Sequence, residues 1–416
     1  AMKLFRWFYP GIGIKRWVVL AAFGLGIMVV VGVSALQTIS KQSVLLASIA
    51  TALLIFGIFV VYTALKNIVR IFVRALVPAP PADLANLVYE SRKREFLTRG
   101  PRVVAIGGGT GLSVLLQGLK AYTNNITAIV TVTDTGGSSG RLRDELDTLP
   151  PGDIRNCLVA LAEAEPLIRD LFQYRFEEGE GLKGHSFGNL FITALSMVTG
   201  DFEKAIRESS KVLAIRGRVL PSTCDKVTLV GEFTDGTIAE GETTITERRK
   251  PLKRVSLRPA SCRATEEALE AIENTDLIVM GPGSLYTSIL PNLLIKDILS
   301  AILESDAYKI FIINAMTQPG ETEGYSAYDH LRVLIAHTDR RIVDACFINT
   351  QSIPKVVLDR YRETSAYPVQ VDLAKFNEQG YTVVGSEILK LDTQVRHDSG
   401  KLAKRILDHY LELLRR

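Results

Sequence analysis

A chain of 416 residues, 47% hydrophobic and 23% charged, can bury enough apolar surface to offset chain entropy, so wholesale disorder is excluded. Cys157, Cys224, Cys262 and Cys346 lie far apart with no C-x-x-C pair, which excludes a disulfide-stapled fold and leaves four reduced core thiols as the expectation. The net charge of +4 is uneven: residues 1–80 hold eight basic residues and no acid, so the remainder carries 41 Lys and Arg against 45 Asp and Glu, with no basic stripe and no footprint for nucleic acid.

Two uncharged apolar runs, residues 18–36 and 44–65, come first. Each is long enough to cross a hydrocarbon core of about 30 Å as a helix, and the short polar link between them predicts a helical hairpin. Lys3, Arg6, Lys15 and Arg16 precede the pair and Lys66, Arg70 and Arg74 follow it, whereas the link holds only Lys41. The positive-inside rule then predicts a two-pass inner-membrane anchor over 1–77, with both termini and the main domain in the cytoplasm. Residues 70–77 form a basic, apolar stretch suited to lie on the bilayer surface. Residues 78–100 are expected to be a linker, broken at Pro78-Ala79-Pro80-Pro81, and a charged approach helix.

From Pro101 the texture changes to short β-branched runs, each followed by a glycine-rich loop and then by helical periodicity. Val103-Val104-Ala105-Ile106 predicts a buried strand, Gly107-Gly108-Gly109-Thr110-Gly111 a tight loop, and residues 112–122 a helix with Leu112, Leu115, Leu116 and Leu119 on one face. Such a loop presents backbone N–H groups at a helix N-terminus, where a phosphate can approach for want of Cβ atoms. The G-x-G-x-x-G spacing fails, because Leu112 stands in the sixth position, so this loop alone is equally consistent with a close-packed turn.

A second strand over 126–133 runs into Asp134-Thr135-Gly136-Gly137-Ser138-Ser139-Gly140-Arg141-Leu142-Arg143. An acid at that point can hold a ribose hydroxyl, and the Gly/Ser nest with its arginines offers the donors and positive charge that a diphosphate requires. Two helix starts follow. Pro150-Pro151-Gly152-Asp153-Ile154-Arg155-Asn156 sets Asp153 and Asn156 in one turn, where Asp153 as an ordinary N-cap is the alternative. His185-Ser186-Phe187-Gly188-Asn189 opens the helix 190–197, and His185 is as well read as a satisfied structural histidine.

Residues 217–257 read as a small antiparallel β insertion, with Asp235-Gly236 at a hairpin turn and Thr243-Thr244-Ile245-Thr246 as a strand; nothing in it demands chemistry. Two further buried strands open into Gly281-Pro282-Gly283-Ser284 and into Asn314-Ala315-Met316-Thr317-Gln318. Four glycine-rich or small polar loops after four strands predict an α/β fold, a doubly wound, mostly parallel Rossmann-like sheet with its ligand at the strand C-termini. No His or Cys pair has ligand spacing, so no such metal site is expected; a carboxylate-bound Mg²⁺ accompanying a diphosphate stays open.

The chain resembles the family of the bacterial gluconeogenesis factor YvcK, within the CofD-like group that includes 2-phospho-L-lactate transferase. The resemblance rests on GGGTGLS (107–113), TDTGGSSGRLR (133–143), PPGDIRNCL (150–158), HSFGN (185–189), GPGSLYTSILPNLL (281–294) and NAMTQPGET (314–322), and spans residues 101–416 as one CofD-like domain. It implies a UDP-sugar ligand such as UDP-N-acetylglucosamine, no required cofactor, and a role in cell-wall precursor metabolism, cell shape and gluconeogenic growth. Cell-wall synthesis or regulatory proteins, and a second copy of the chain, are the partners it leaves open. Arg396-His397-Asp398 also matches a family motif and offers Arg396 as a contact to the nucleotide-sugar, with Asp398 or Ser399 equally placed to cap the last helix. The paired acids familiar in both branches stand here as Asp134-Thr135, which weakens the alternative, transfer of a phospholactyl-type group from a nucleotide diphosphate carrier. A nicotinamide enzyme is disfavoured by the failed glycine spacing.

Overall fold

The computed structural model describes residues 14–38, 44–76, 92, 96–362, 365–391 and 394–415. The chain divides into two compact units, Ala1–Lys93 and Arg94–Arg416. The expected link, linker and approach helix fall mostly outside the described residues.

In the first unit, α1 (Ile14–Thr38) and α2 (Val44–Leu76) pack against each other. They are long and apolar enough to cross a membrane over Arg16–Ser34 and Ser48–Arg70. Phe23, Val30, Ile55 and Phe59 are exposed, a surface that water would penalise and lipid accepts. The helices meet at two glycines: a Cβ on Gly24 would lie 3.1 Å from the Gly57 carbonyl oxygen, and one on Gly57 3.2 Å from that of Gly24. Small residues let apolar helices approach this closely where burial from water cannot drive them together. The second helix does not stop at Leu65 but continues through the basic stretch to Leu76.

The second unit is built on a seven-stranded sheet: β1 (Val103–Gly107), β2 (Ile126–Val130), β3 (Arg218–Pro221), β7 (Leu277–Met280), β8 (Tyr308–Ile312), β9 (Ala345–Asn349) and β10 (Thr382–Ser386). The order is β10-β9-β8-β7-β1-β2-β3 and every pairing is parallel. Continuous apolar runs such as Val103–Gly107 suit this position, because both faces of such a sheet are covered by helices. The chain steps outward from β1 to β3, returns to β7 beside β1, and steps outward again to β10. That reversal makes the β1/β7 boundary the topological switch point.

Helix α3 (Gly109–Leu119) follows β1 and buries Leu112, Leu115, Leu116 and Leu119, the face that the sequence periodicity predicts. At its far end a Cβ on Gly118 would lie 1.9 Å from the carbonyl oxygen of Ser399, so only glycine lets α8 (Ser399–Leu414) seat there. Asp398 caps α8 by accepting from the Lys401 amide at 2.9 Å.

Between β3 and β7 lies the antiparallel sheet β5-β4-β6, formed by β4 (Thr228–Phe233), β5 (Ile238–Glu240) and β6 (Leu252–Arg258). Asp235-Gly236 turns the β4–β5 hairpin as expected. Two expectations are corrected. The strand β3 belongs to the parallel sheet, because Val219 and Leu220 are buried beside β2, and the insertion therefore begins after it. The segment read as a strand at Thr243–Thr246 is the short helix α7 (Glu242–Glu247), whose one buried side chain, Ile245, packs on Gly231. Tertiary contact outweighs the β-propensity of a threonine-rich stretch. Cys157, Cys262 and Cys346 are buried as expected, but Cys224 is exposed.

Candidate functional site

The loops after β1 and β7 touch backbone to backbone at the switch point. A Cβ on Gly111 would lie 2.4 Å from the Pro282 carbonyl oxygen, and one on Gly108 2.5 Å from the Asp153 carboxylate. Gly109 has φ of 63°, the left-handed region, with only Ser288 Oγ near its Cβ position at 3.8 Å. Helix α3 thus begins among four glycines within five residues, 107–111, and has no side-chain cap from its N-cap residue, which leaves N–H groups of its first turn open to whatever fills the crevice.

Amide side chains hold the neighbouring loops in place. Asn314 donates to the Gly283 carbonyl at 2.8 Å and to Gln318 Oε1 at 3.2 Å, and Gln318 donates to Ser284 Oγ at 2.6 Å. Asn292 ties the end of β1 by donating to the Gly107 carbonyl at 3.1 Å. Thr317 is bonded through both backbone and hydroxyl to Tyr367. The strands β11 (Leu389–Leu391) and β12 (Val395–His397) bring the C-terminal segment alongside.

These pieces enclose a cleft of about 540 Å³. Of the residues expected at the site, Gly108, Gly109, Thr110, Gly111, Gly283, Ser284, Thr317 and Arg396 line it. Arg396 is exposed and, among the described residues, its guanidinium bonds to the Gln394 side chain two positions before it. His397 is neutral, since burial lowers its pKa to about 4, and its Nε2 has no partner. Gly107 and Gly281 end their strands immediately behind the cleft.

A second group gathers beside the first, on the far side of Gly108. Asp134 accepts from the Gly136 amide at 2.8 Å and lies against Gly152, whose Cβ would stand 2.9 Å from Asp134 Oδ2 and 2.3 Å from Ser139 Oγ. Gly137 starts α4 (Gly137–Leu146) with φ of 48°. Asp153 sits in the first turn of α5 (Gly152–Leu161) and is not its N-cap; it accepts from the Gly109 amide instead, binding the two loops together. One of the glycine-loop donors is therefore already engaged.

Three other expected residues are knotted inside. Asn189, on α6 (Phe187–Thr199), donates to Ser138 Oγ at 3.1 Å, and Ser138 Oγ lies 2.9 Å from His185 Nδ1. Burial and Arg141 lower the His185 pKa, which favours the neutral ring. All three residues are buried, and His185 is engaged within the protein. Asn156 accepts from Arg155 at 2.7 Å, and Arg141 donates to the Lys183 carbonyl at 2.8 Å; neither lines the cleft.

The sequence reading passed over two carboxyls. Glu242, carried by α7 of the insertion, lines the cleft. Glu321 lies within the NAMTQPGET segment and is 7% exposed; its Oε1 accepts from Thr287 at 3.2 Å and its Oε2 has no partner. Burial, and for Asp153 and Glu242 also the neighbouring carboxylates, raises all of these acids: Asp153 and Glu321 to about 7 and Glu242 to about 9. Near neutrality they are hydrogen-bonding groups with much of their charge suppressed. Among the described residues no group of three or more His, Cys, Asp or Glu side chains is arranged to hold a metal ion.

Comparison with known proteins follows the same geometry. The family model described as 2-phospho-L-lactate transferase CofD matches residues 103–389, which takes in the cleft loops after β1, β7 and β8 and ends before Arg396. The gluconeogenesis factor of Halalkalibacterium halodurans is 51% identical over 74% of this chain and 95% of its own length. A relative from Nostoc sp. is 43% identical over 98% of this chain and 92% of its own, an alignment that includes the N-terminal helices. The crystal structure of a UPF0052-family protein from Bacillus halodurans, 50% identical, covers 74% of this chain and 99% of that one with a TM-score of 0.73.

Proposed function

The chain belongs to the gluconeogenesis factor family and carries its CofD-type domain, and from that premise we propose that it is a UDP-sugar-binding regulator, with UDP-N-acetylglucosamine as ligand. The helix pair holds it at the inner membrane with the second unit on the cytoplasmic side, and it acts on cell-wall precursor metabolism, cell shape and gluconeogenic growth. The observation that carries this reading is the contact of Gly111 with Pro282 at the switch point, beside an uncapped helix N-terminus. Bare backbone there lets a diphosphate reach N–H donors, and Arg396 on the same cleft adds an exposed cation.

A binder rather than an enzyme is favoured by the placing of candidate nucleophiles and bases, His185 and the cysteines, away from the cleft. His185 is spent on Ser138, and Cys157, Cys262 and Cys346 are buried. The basic residues flanking the hairpin, Arg16 on one side and Lys66 and Arg70 on the other, support the cytoplasmic placement.

Calorimetry on the full chain in lipid nanodiscs tests the reading, comparing UDP-N-acetylglucosamine, GDP, a deazaflavin precursor and NAD, each with and without Mg²⁺. Saturable binding of the UDP-sugar is expected. Saturation by GDP or the deazaflavin compound, with indifference to UDP-sugars, would instead establish the transferase reading.

A further inference from the structure

We propose that Glu242, brought to the cleft by the antiparallel insertion, is a ligand-contact residue that receives a hydroxyl group of the sugar distal to the diphosphate. The inference rests on the UDP-sugar reading and adds to it the residue that distinguishes a sugar nucleotide from the bare nucleotide.

The first support is placement. Glu242 shares the cleft with Gly108–Gly111 and with Pro282, Gly283 and Ser284, although it lies more than a hundred residues from the first loop. Its position is built. The chain reverses at Gly241, φ 86°, directly against Thr135, and the Thr135 hydroxyl accepts from the Thr243 amide at 3.1 Å. Thr135 stands where the family pattern has a second acid. Here the residue at that position fastens the helix that delivers a carboxyl from elsewhere.

The second support is what stands behind it. Thr287 bonds to Glu242 on one side and to Glu321 Oε1 on the other. A threonine hydroxyl has one proton to give, so it serves one carboxyl at a time and ties both acids to the same residue. Thr287 thereby holds the Glu242 carboxyl at the wall of the cleft.

The third support is charge. The ionisable groups facing Glu242 are Asp134, Asp153 and Glu321, all acids, while Arg396 and His397 come to the same cleft from β12. With much of their charge suppressed, these carboxyls offer hydrogen bonds suited to hydroxyl groups and no cation for a diphosphate, so the phosphates belong with the helix N-terminus and Arg396. Asp134, four residues beyond the end of β2, lies near the position from which an acid reads the ribose. Glu242 is then left for the second sugar.

The test is calorimetry on the full chain in nanodiscs with UDP-N-acetylglucosamine and with UDP, in EDTA and in Mg²⁺, for the wild type, Glu242→Ala and Glu242→Gln. Loss of one charge-neutral hydrogen bond predicts that Glu242→Ala weakens the UDP-sugar by about tenfold and changes UDP by less than about twofold. Glu242→Gln keeps an acceptor of the same shape and should restore affinity to within about threefold of wild type; it also keeps the test valid if the alanine variant misfolds. A wild type that ignores the UDP-sugar removes the functional reading itself. Given wild-type binding, equal loss of UDP and UDP-sugar in Glu242→Ala, or no loss, overturns the inference alone. Binding that requires Mg²⁺ in the wild type and loses that requirement in Glu242→Gln also overturns it, by assigning the carboxyl to a cation.

Discussion

Replacing Gly111 by alanine probes the contact on which the crevice depends. The new Cβ would stand 2.4 Å from the Pro282 carbonyl oxygen, 2.8 Å from its carbonyl carbon and 3.0 Å from Gly283 Cα. All three are backbone atoms of a loop held by Asn314, so no rotamer change relieves the contact. Alanine in the first turn of α3 gains up to about 1 kcal/mol of helix propensity over glycine. Overpacking typically costs about 1–3 kcal/mol, and a clash against fixed backbone sits at the upper end. The net loss expected is therefore roughly 1–2 kcal/mol, a fall of about 1.5–3 °C in melting temperature for a unit of this size, with parting of the loops and weaker ligand binding. Gly400→Ala is the control, since its Cβ would meet only Asp398 Oδ1 at 3.5 Å inside α8. Thermal unfolding by circular dichroism and calorimetry on the same samples read both effects. A Gly111→Ala protein that melts at or above the wild type and binds as well would refute the reasoning that the two loops must touch as bare backbone.

Further outcomes are expected. Arg396→Ala should weaken a diphosphate ligand by roughly 1.5–3 kcal/mol without changing the circular dichroism spectrum, because the side chain is exposed and bonds to the nearby Gln394; unchanged affinity in calorimetry would remove Arg396 from the site. In the absence of ligand, stability should fall as pH rises from about 4 to about 7: Asp153 and Glu321 keep their protons in the folded state up to about 7, whereas in the unfolded chain they lose them near 4. The slope is at most about 1.4 kcal/mol per pH unit for each carboxyl, and Asp153→Asn should reduce it in urea titrations at several pH values; a slope of the opposite sign contradicts the assigned burial. In right-side-out vesicles, external protease should leave the second unit intact, and its cleavage from outside would reverse the proposed orientation.

Much of the architecture is written in local order. The β-branched runs ending in glycine gave strands β1 and β7 with their loops, and Leu112, Leu115, Leu116 and Leu119 gave the buried face of α3, because side-chain periodicity and glycine stereochemistry act over neighbouring residues. The two uncharged runs likewise marked α1 and α2, since the length needed to cross a bilayer is a property of the stretch itself. Even the shared edge of the loops followed from strand after strand being parallel.

The chemistry of the crevice was decided elsewhere. His185 looked available in sequence, yet Ser138, 47 positions away, closes on it once α4 and α6 pack. Thr243–Thr246 reads as a strand and forms part of a helix because Thr135, 108 residues distant, anchors its start. Glu242 and Glu321 carry no local mark: their raised pKa values come from burial and, for Glu242, also from Asp134, Asp153 and Glu321. Backbone propensity is a short-range quantity, but the protonation and partners of a side chain depend on which distant segments exclude water around it, and only the folded chain determines that.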